Sequence, residues 1–158
     1  MPPSDLPFYL QPQWFLPGLV LLWLVTSVVI AWLAGWRALA ALYPALADGA
    51  GPWLRFVTGT LGSPHWPMRY KRCLRLRVDE AGLTVGVMIP FSFGSRPFRV
   101  AWTEVAAVAE SQSIKNRMVS LQFKGASPVL TLGDDIGQHV LAAWRAAVPA
   151  GDAAQPFD

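Results

Sequence analysis

The sequence predicts a mainly β protein with α-helices at both ends, and three observations lead to this fold class. An uncharged, mostly apolar run extends from Trp14 to Trp36. Between Trp53 and Leu132, short segments alternate apolar and polar residues and are separated by turn-forming residues. From Gly133 onward, apolar residues recur at helical spacing. We therefore expect one N-terminal transmembrane helix, a seven-stranded antiparallel barrel and a C-terminal helix that caps it.

The apolar run has the length and composition of a membrane anchor. About 20 apolar residues are enough for a helix to cross the hydrocarbon core. Trp14 and Trp36 are placed to act as aromatic anchors at the two interfaces, and the basic Arg37 follows directly. We expect the helix to continue as far as Tyr43, because Pro44 then ends it. The hydroxyls of Thr26 and Ser27 can bond back to helix carbonyls.

Two other interpretations of this run remain open. It could be a core helix of a soluble protein, although a chain of this size could hardly surround so long an apolar helix. It could also be a signal peptide, because Ala45-Leu46-Ala47 resembles a cleavage site. Against cleavage, no basic residue precedes the run, and the run is longer than a typical signal-peptide core.

Charge around the run predicts its orientation. The only charged side chain before it is Asp5, whereas Arg37, Arg55 and a dense basic group from Arg69 to Arg77 follow it. The positive-inside rule therefore places the N-terminus outside and the C-terminal domain in the cytoplasm, on a single-pass protein of the inner (cytoplasmic) membrane.

The anchor also offers a surface for a partner helix. Trp23, Gly35 and the Thr26-Ser27 pair could form a helix–helix face. An oligomer formed through the transmembrane helix is therefore a further expectation.

The chain divides into five parts. Residues 1–13 are a short N-terminal tail, 14–43 the transmembrane helix and its extension, 44–52 a linker, 53–148 the barrel with its helix, and 149–158 a disordered tail. Cys73 is the only cysteine, which excludes an intrachain disulfide. His65 and His139 lie far apart without a cysteine pair, so no metal site is expected.

Seven strands and one helix are predicted within the barrel domain. The strands are Trp53–Thr60, Tyr70–Asp79, Leu83–Val87, Phe98–Trp102, Val105–Glu110, Val119–Phe123 and Val129–Leu132. Residues 61–68, with two prolines, and residues 90–97 are predicted to be loops. Asp134 and Asp135 suit a helix start. The helix face carries Trp144, which we expect to plug the core together with Trp102.

Three stretches carry a resemblance to a known superfamily. They are Asp79–Val85 (DEAGLTV), Val100–Val105 (VAWTEV) and Trp144 on the last helix. In this order they resemble the pleckstrin-homology-like (PH-like) domains, in particular bacterial membrane-anchored members of uncharacterised function. The resemblance implies a barrel that binds phospholipid head groups, peptides or partner domains. It also implies that a lipid site would use basic residues on the first two strands and on the loop between them.

A basic cluster lies in that region. Its members are Arg55, Arg69, Lys71, Arg72, Arg75 and Arg77. Arg75 and Arg77 alternate with core residues and are predicted to face solvent. The cluster could be no more than a solvated strand face, or it could bind anionic lipid head groups or a protein partner. It lacks the interleaved aromatic residues of a single-strand binder, so no nucleic acid is expected.

Nothing in the sequence predicts catalysis. We find no nucleophile with an adjacent base, no paired carboxylates, no glycine-rich phosphate loop and no cofactor motif. The expected function is a membrane-tethered, non-catalytic interaction module. The alternative is a structural or regulatory subunit of a larger membrane complex, and an enzyme whose site the sequence hides is a third possibility.

Overall fold

The computed structural model describes residue 7 and residues 11–45, 49–112 and 116–148. Three α-helices are present in these ranges: α1 (Pro12–Leu33), α2 (Trp36–Leu42) and α3 (Asp134–Ala147). The strands are β1 (Leu54–Ser63), β2 (Trp66–Val78), β3 (Gly82–Val87), β4 (Phe98–Ala101), β5 (Val105–Gln112), β6 (Arg117–Phe123) and β7 (Val129–Gly133), with a 3₁₀ turn at Trp102–Glu104. The predicted disordered tail 149–158 and most of the tail 1–13 lie outside the described residues.

All seven strands belong to one antiparallel sheet. Its order is β4-β3-β2-β1-β7-β6-β5, so β1 lies at the centre and joins the two meanders. The sheet curls into a half-barrel whose edges, β4 and β5, are connected by the 3₁₀ turn. The predicted fold class is confirmed: an apolar N-terminal helix, seven antiparallel strands and a C-terminal helix.

The concave side of the sheet forms the core. Leu74 and Leu76 of β2 are fully buried, as their alternation with charged residues predicts. The third strand differs, because all of its residues from Gly82 to Val87 are buried. Its second face is covered as well: a Cβ built on Gly86 would lie 2.9 Å from Nε of Arg75.

The C-terminal helix completes this core as predicted. It packs on β6 and β7 and buries Val140, Leu141 and Trp144. Trp144 retains 7% of its surface exposed, and Trp102 retains 2%. Both tryptophans predicted to fill the core therefore lie in it. Trp102 also donates its indole N–H to the backbone oxygen of Asp79 at 2.9 Å, which connects two stretches of the resemblance.

The prediction of a loop at residues 61–68 is wrong. The first strand continues to Ser63 and the second begins at Trp66, so only a two-residue turn separates them. Gly62 pairs with Pro67 within this hairpin. Proline is tolerated there because β3 pairs only with Leu74–Val78 of β2. Among the described residues, no strand therefore pairs with that edge in the first half of β2, and a missing N–H costs no ladder hydrogen bond there.

The prediction of one continuous helix over residues 14–43 is also wrong. The first helix ends at Leu33, and Gly35 takes a left-handed conformation with φ of +73°. A second helix follows whose Trp36 and Leu39 are fully buried. The sequence suggested that the folded domain begins at Trp53, but the domain already includes α2. The reason is an amphipathic stripe that packs against the sheet and includes Trp36 and Leu39.

The predicted linker 44–52 is held at both ends by the domain. Pro44 forms an isolated bridge with Phe98, and the Arg99 N–H donates to the Tyr43 carbonyl at 3.0 Å. At the other end, the Gly49 carbonyl accepts a hydrogen bond of 2.6 Å from Arg77. This segment is therefore a loop of the domain, although residues 46–48 lie outside the described part.

Candidate membrane-proximal site

The first helix carries the largest apolar surface of the described chain. Residues Gln13–Leu33 are long and apolar enough to cross a membrane. An 18-residue stretch within them has a mean hydropathy of 2.3, and 6% of that stretch is buried. Trp14 is 54% exposed, as an interfacial residue would be. Thr26 and Ser27 donate to the carbonyls of Leu22 and Trp23, which confirms the predicted back-bonding. A signal sequence near the N-terminus would have the same length and composition.

Trp36 does not occupy the interfacial position that its spacing from Trp14 suggested. Its ring is fully buried, with centroids 5.3 Å from the ring of Phe98 and 5.8 Å from that of Tyr70. Its indole N–H donates to the backbone oxygen of Arg96. Trp36 therefore joins the helix to the domain core, while the neighbouring Arg37 stays exposed.

The predicted helix–helix face is partly occupied by the chain itself. Trp23 lies edge-on to Phe93, with ring centroids 5.5 Å apart, and to Phe91 at 6.2 Å. A Cβ built on Gly35 would lie 2.5 Å from Cγ of Pro128. Two residues expected to meet a partner helix thus meet other parts of their own chain, and oligomerisation itself stays a prediction.

Four members of the basic cluster are exposed. They are Arg55, Arg69, Lys71 and Arg72, all on β1 and β2. The two strands are irregular here, because Phe56 and Arg72 have φ of 59° and 52° and the register shifts twice around Val57. Such bulges twist the sheet locally and re-aim neighbouring side chains.

Arg75 and Arg77 do not face solvent freely, which corrects the prediction for them. Both are half-buried, and their guanidinium carbons lie 4.7 and 4.4 Å from the ring centroid of Trp53. Planar guanidinium groups stack favourably on indole faces. With its hydrogen bond to Gly49, Arg77 holds the loop before β1 against the sheet. These two residues have a structural role and do not extend the exposed cluster.

A cavity of about 430 Å³ adjoins the exposed cluster. Its lining includes Phe56 and Arg69 from the first two strands, and Asp134 and Asp135 from the start of α3. The lining thus combines two negative carboxylates, of Asp134 and Asp135, with the positive guanidinium of Arg69, so the cavity has mixed charge. This lining does not favour a simple anion such as free phosphate.

The titratable groups beside the cluster are perturbed by burial. Burial raises the pKa of the Cys73 thiol, so the neighbouring cations do not make it a reactive thiolate. Burial, with a smaller contribution from Cys73, raises the pKa of Tyr70 to about 12. Within the described ranges no three His, Cys, Asp or Glu side chains are grouped as metal ligands would be.

An ion pair closes the turn between β2 and β3. The Arg99 guanidinium contacts both carboxylate oxygens of Asp79, at 2.7 and 2.9 Å. Burial alone would raise the pKa of Asp79. Hydrogen bonds from Arg99 and from the N–H groups of Ala81 and Gly82, with the charge of Arg99, outweigh burial and lower it. This turn is a fixed part of the fold.

The described residues therefore define a curled antiparallel half-barrel joined to one apolar N-terminal helix. No protein-family model and no curated protein matches the sequence. Among solved structures, the chain is similar to SsgB, described with mutations that correlate to longitudinal cell division during sporulation of Streptomyces coelicolor. The two share 16% identity at a TM-score of 0.35, over 68% of this chain and 97% of that one.

Proposed function

We propose that the protein is a non-catalytic interaction module that α1 holds on the cytoplasmic face of the inner membrane. The observation that carries this proposal is the contrast along one segment of chain. Large apolar side chains of α1 such as Leu21 and Trp32 are 63% exposed, whereas Trp36, three residues after its end, is fully buried in the domain. Lipid would cover the first surface, and the domain would lie directly beneath it.

The position of α2 supports a retained anchor over a cleaved signal peptide. Cleavage after Ala47 would remove Trp36 and Leu39 from the core, together with the hydrogen bond between Tyr43 and Arg99. Loss of a fully buried large side chain costs about 3–5 kcal/mol, which is comparable to the stability of a small domain.

The exposed cations support the leaflet as a binding partner. Arg69 and Lys71 flank Tyr70, whose ring contacts Trp36 just beyond the end of α1. The exposed side chains of Arg69 and Lys71 thus lie on the segment of β2 that is close to the end of α1. Each basic residue near an anionic leaflet contributes about 1 kcal/mol. Because the domain is already tethered, such a face would orient it against the bilayer.

We further propose that the half-barrel is a PH-like domain. Seven antiparallel strands followed by one packed helix support this assignment. The hydrogen bond from Trp102 to Asp79 joins the two stretches that carry the resemblance. The basic residues on β1 and β2 occupy the strands that the resemblance implies for a ligand.

Topology is tested with single-cysteine variants of the full chain in a Cys73→Ala background. Ser4→Cys and Lys71→Cys are expressed in cells and treated with a membrane-impermeant maleimide. We expect intact cells to label only Ser4→Cys, and lysed cells to label both. Labelling of Lys71→Cys in intact cells would mean that the domain lies outside the cytoplasm, opposite to the proposed orientation. Release of the protein from membranes by alkaline carbonate would refute the anchor.

The binding partner is tested by photo-crosslinking in native membranes. A photoreactive amino acid replaces Arg69 in the full chain, and the same substitution at Ala142, exposed on α3, is the matched control. Adducts with anionic phospholipid at position 69 and not at 142 would support the leaflet. A discrete protein adduct would instead support a subunit of a larger complex. Equal, weak adducts at both positions would refute a binding face on β2.

A further inference from the structure

The loop between β3 and β4, residues 88–97, exposes apolar side chains. Ile89 is 83% exposed, Phe91 52% and Phe93 47%. No charged residue occurs from Leu83 to Ser95. Clustered large apolar side chains on a surface mark an interface with a protein or a membrane. This loop, which we call the β3–β4 loop, therefore needs an apolar partner.

The β3–β4 loop lies along the first helix. Phe91 and Phe93 make edge contacts with the ring of Trp23. Near the base of the loop, a Cβ built on Gly94 would lie 3.3 Å from Cα of Val28. The loop thus follows α1 from Val28 towards Trp23, and its apolar surface is continuous with that of the helix.

The contact with Trp23 gives the depth of the loop. Trp23 lies ten residues from each end of the apolar segment Gln13–Leu33. Ten helical residues rise about 15 Å, which is half of the roughly 30 Å hydrocarbon core. If α1 crosses the bilayer, the rings of Phe91 and Phe93 lie close to its midplane.

Two arginines define the polar boundary below the loop. Arg37 is the first basic residue after α1, and Arg96, near the β4 end of the loop, is the first charged residue of the loop. Both are exposed, and both line one cavity of about 590 Å³ between the helices and the loop. Guanidinium groups favour the head-group level over the hydrocarbon. The uncharged part of the loop and the uncharged part of the helix therefore end at the same level.

Hydrogen bonds within the loop satisfy part of its backbone. Irregular backbone in a membrane needs internal hydrogen bonds and contact with protein. Phe91 N–H donates to the Met88 carbonyl at 2.9 Å, and Ser95 N–H donates to the Ser92 carbonyl at 3.0 Å. The Met88 N–H donates to the Cys73 carbonyl at 2.7 Å, which continues the pairing of β3 with β2 to the base of the loop.

We infer that the β3–β4 loop is a second membrane-embedded element, which inserts Ile89, Phe91 and Phe93 among the lipid acyl chains of the leaflet beside the domain. This inference rests on the proposed transmembrane role of α1. The occupant of the apolar surface is lipid, because the loop continues the exposed surface of that helix. Two points of insertion, a helix and a loop, would fix the domain's rotation about the helix axis as well as its distance from the membrane.

The test measures depth with nitroxide labels on full-length protein reconstituted in phosphatidylglycerol-containing vesicles. Single cysteines at Ile89, Val20 and Ser111 are introduced in the Cys73→Ala background. Ile89 and Val20 are exposed apolar positions of the loop and of α1, and Ser111 is an exposed position on β5. Collision with oxygen, which concentrates in lipid, is compared with collision with a water-soluble nickel chelate.

We expect the oxygen-to-nickel ratio at Ile89 to exceed that at Ser111 several-fold and to approach that at Val20. A lipid value at Val20 with a water value at Ile89 would overturn this inference and leave the anchor standing. Water values at both positions would overturn the anchor itself. A lipid value at Ile89 alone would also overturn the inference as stated, because the loop would then insert without the helix. Near-UV circular dichroism of each labelled protein checks that the fold is kept.

Discussion

Trp36 and Phe98 pack edge-to-face, with ring centroids 5.3 Å apart and planes at 69°. The contact joins the first residue of α2 to the edge strand β4. Both side chains are fully buried. The N-terminal helices and the sheet therefore share one core, and the stability of the domain depends on Trp36, a residue at the end of the apolar run that the sequence suggested as a membrane anchor.

Replacing Trp36 with Ala should destabilise the domain by about 3–5 kcal/mol, as for other buried large aromatics. Trp32→Ala is the matched control, because Trp32 is 63% exposed on α1. Denaturant unfolding of the full chain in detergent micelles, followed by near-UV circular dichroism, measures both. Similar midpoints for the two variants would contradict the assignment of Trp36 to the core.

Gly35→Ala should destabilise the protein more than a left-handed backbone alone requires. Gly35 and Gly125 have similar φ values, +73° and +70°, but only Gly35 has a neighbour, Pro128, where a Cβ would lie. Gly125→Ala should therefore cost only the backbone term, about 1–2 kcal/mol. The excess in Gly35→Ala reports the clash with Pro128. Equal losses in the two variants would mean that Gly35 and Pro128 are not in contact.

The Asp79–Arg99 pair should make stability fall in acid. The pKa of Asp79 is lowered in the folded state, so the unfolded chain binds a proton at higher pH than the folded one. The contribution of the pair is complete above the unfolded value of about 3.9 and is lost as the pH falls through the lower folded value. Asp79→Asn should lose about 1.5–3 kcal/mol at neutral pH and flatten this acid dependence.

Glu80→Gln is the control for that measurement, because it removes the same charge from an exposed position in the same turn. Its unfolding free energy should follow the native protein from pH 6 to pH 3. If Asp79→Asn and Glu80→Gln give the same profile, the ion pair does not contribute to folding.

The basic cluster should divide into two groups by stability. Arg77→Ala removes the stack on Trp53 and the hydrogen bond to Gly49, and should cost about 1–3 kcal/mol. Arg69→Ala and Lys71→Ala change exposed side chains and should stay within about 0.5 kcal/mol. Thermal unfolding of the three variants distinguishes them. A loss at Arg69 as large as that at Arg77 would contradict the division.

Trp144→Ala should cost about 3–5 kcal/mol, because Trp144 lies among the buried residues of α3. Trp66, 63% exposed at the start of β2, supplies a control of the same residue type. We expect the Trp144 variant to unfold or aggregate while α1 still inserts, and the Trp66 variant to keep its midpoint. An unchanged melting temperature for Trp144→Ala would remove the main support for α3 as a core element.

Most helices and strands could be predicted from the sequence because the spacing of apolar residues within each element determines which face is buried. The alternation of Leu74 and Leu76 with arginines, and the helical recurrence of Val140 and Trp144, each repeat within one element. The break at Gly35 could not be predicted in this way, because the contact that requires glycine is made by Pro128, far along the chain. A usable signal was present: Trp36 and Leu39 form the stripe of a short amphipathic helix directly after a glycine.

The candidate site was predicted less well, for a related reason. Alternation placed Arg75 and Arg77 on the outer face of β2, but it could not indicate that Trp53 would cover them there. The loop phenylalanines, Phe91 and Phe93, were recognised only as part of a break. The loop carries no charged residue from Met88 to Ser95, which is unusual for a loop exposed to water, and this was the available signal.

The fixed positions of Pro44 and Gly49 limit how far the domain can move relative to α1. As a free linker, residues 44–52 would let the domain explore roughly 15–18 Å around its anchor. Here Pro44 and Gly49 are both fastened to strands, and only Ala34 and Gly35 separate α1 from α2. The domain therefore has almost no reach of its own. If α1 anchors the protein as we propose, any molecule that the domain binds must arrive within its footprint on the bilayer, and encounters depend on lateral diffusion of the whole protein.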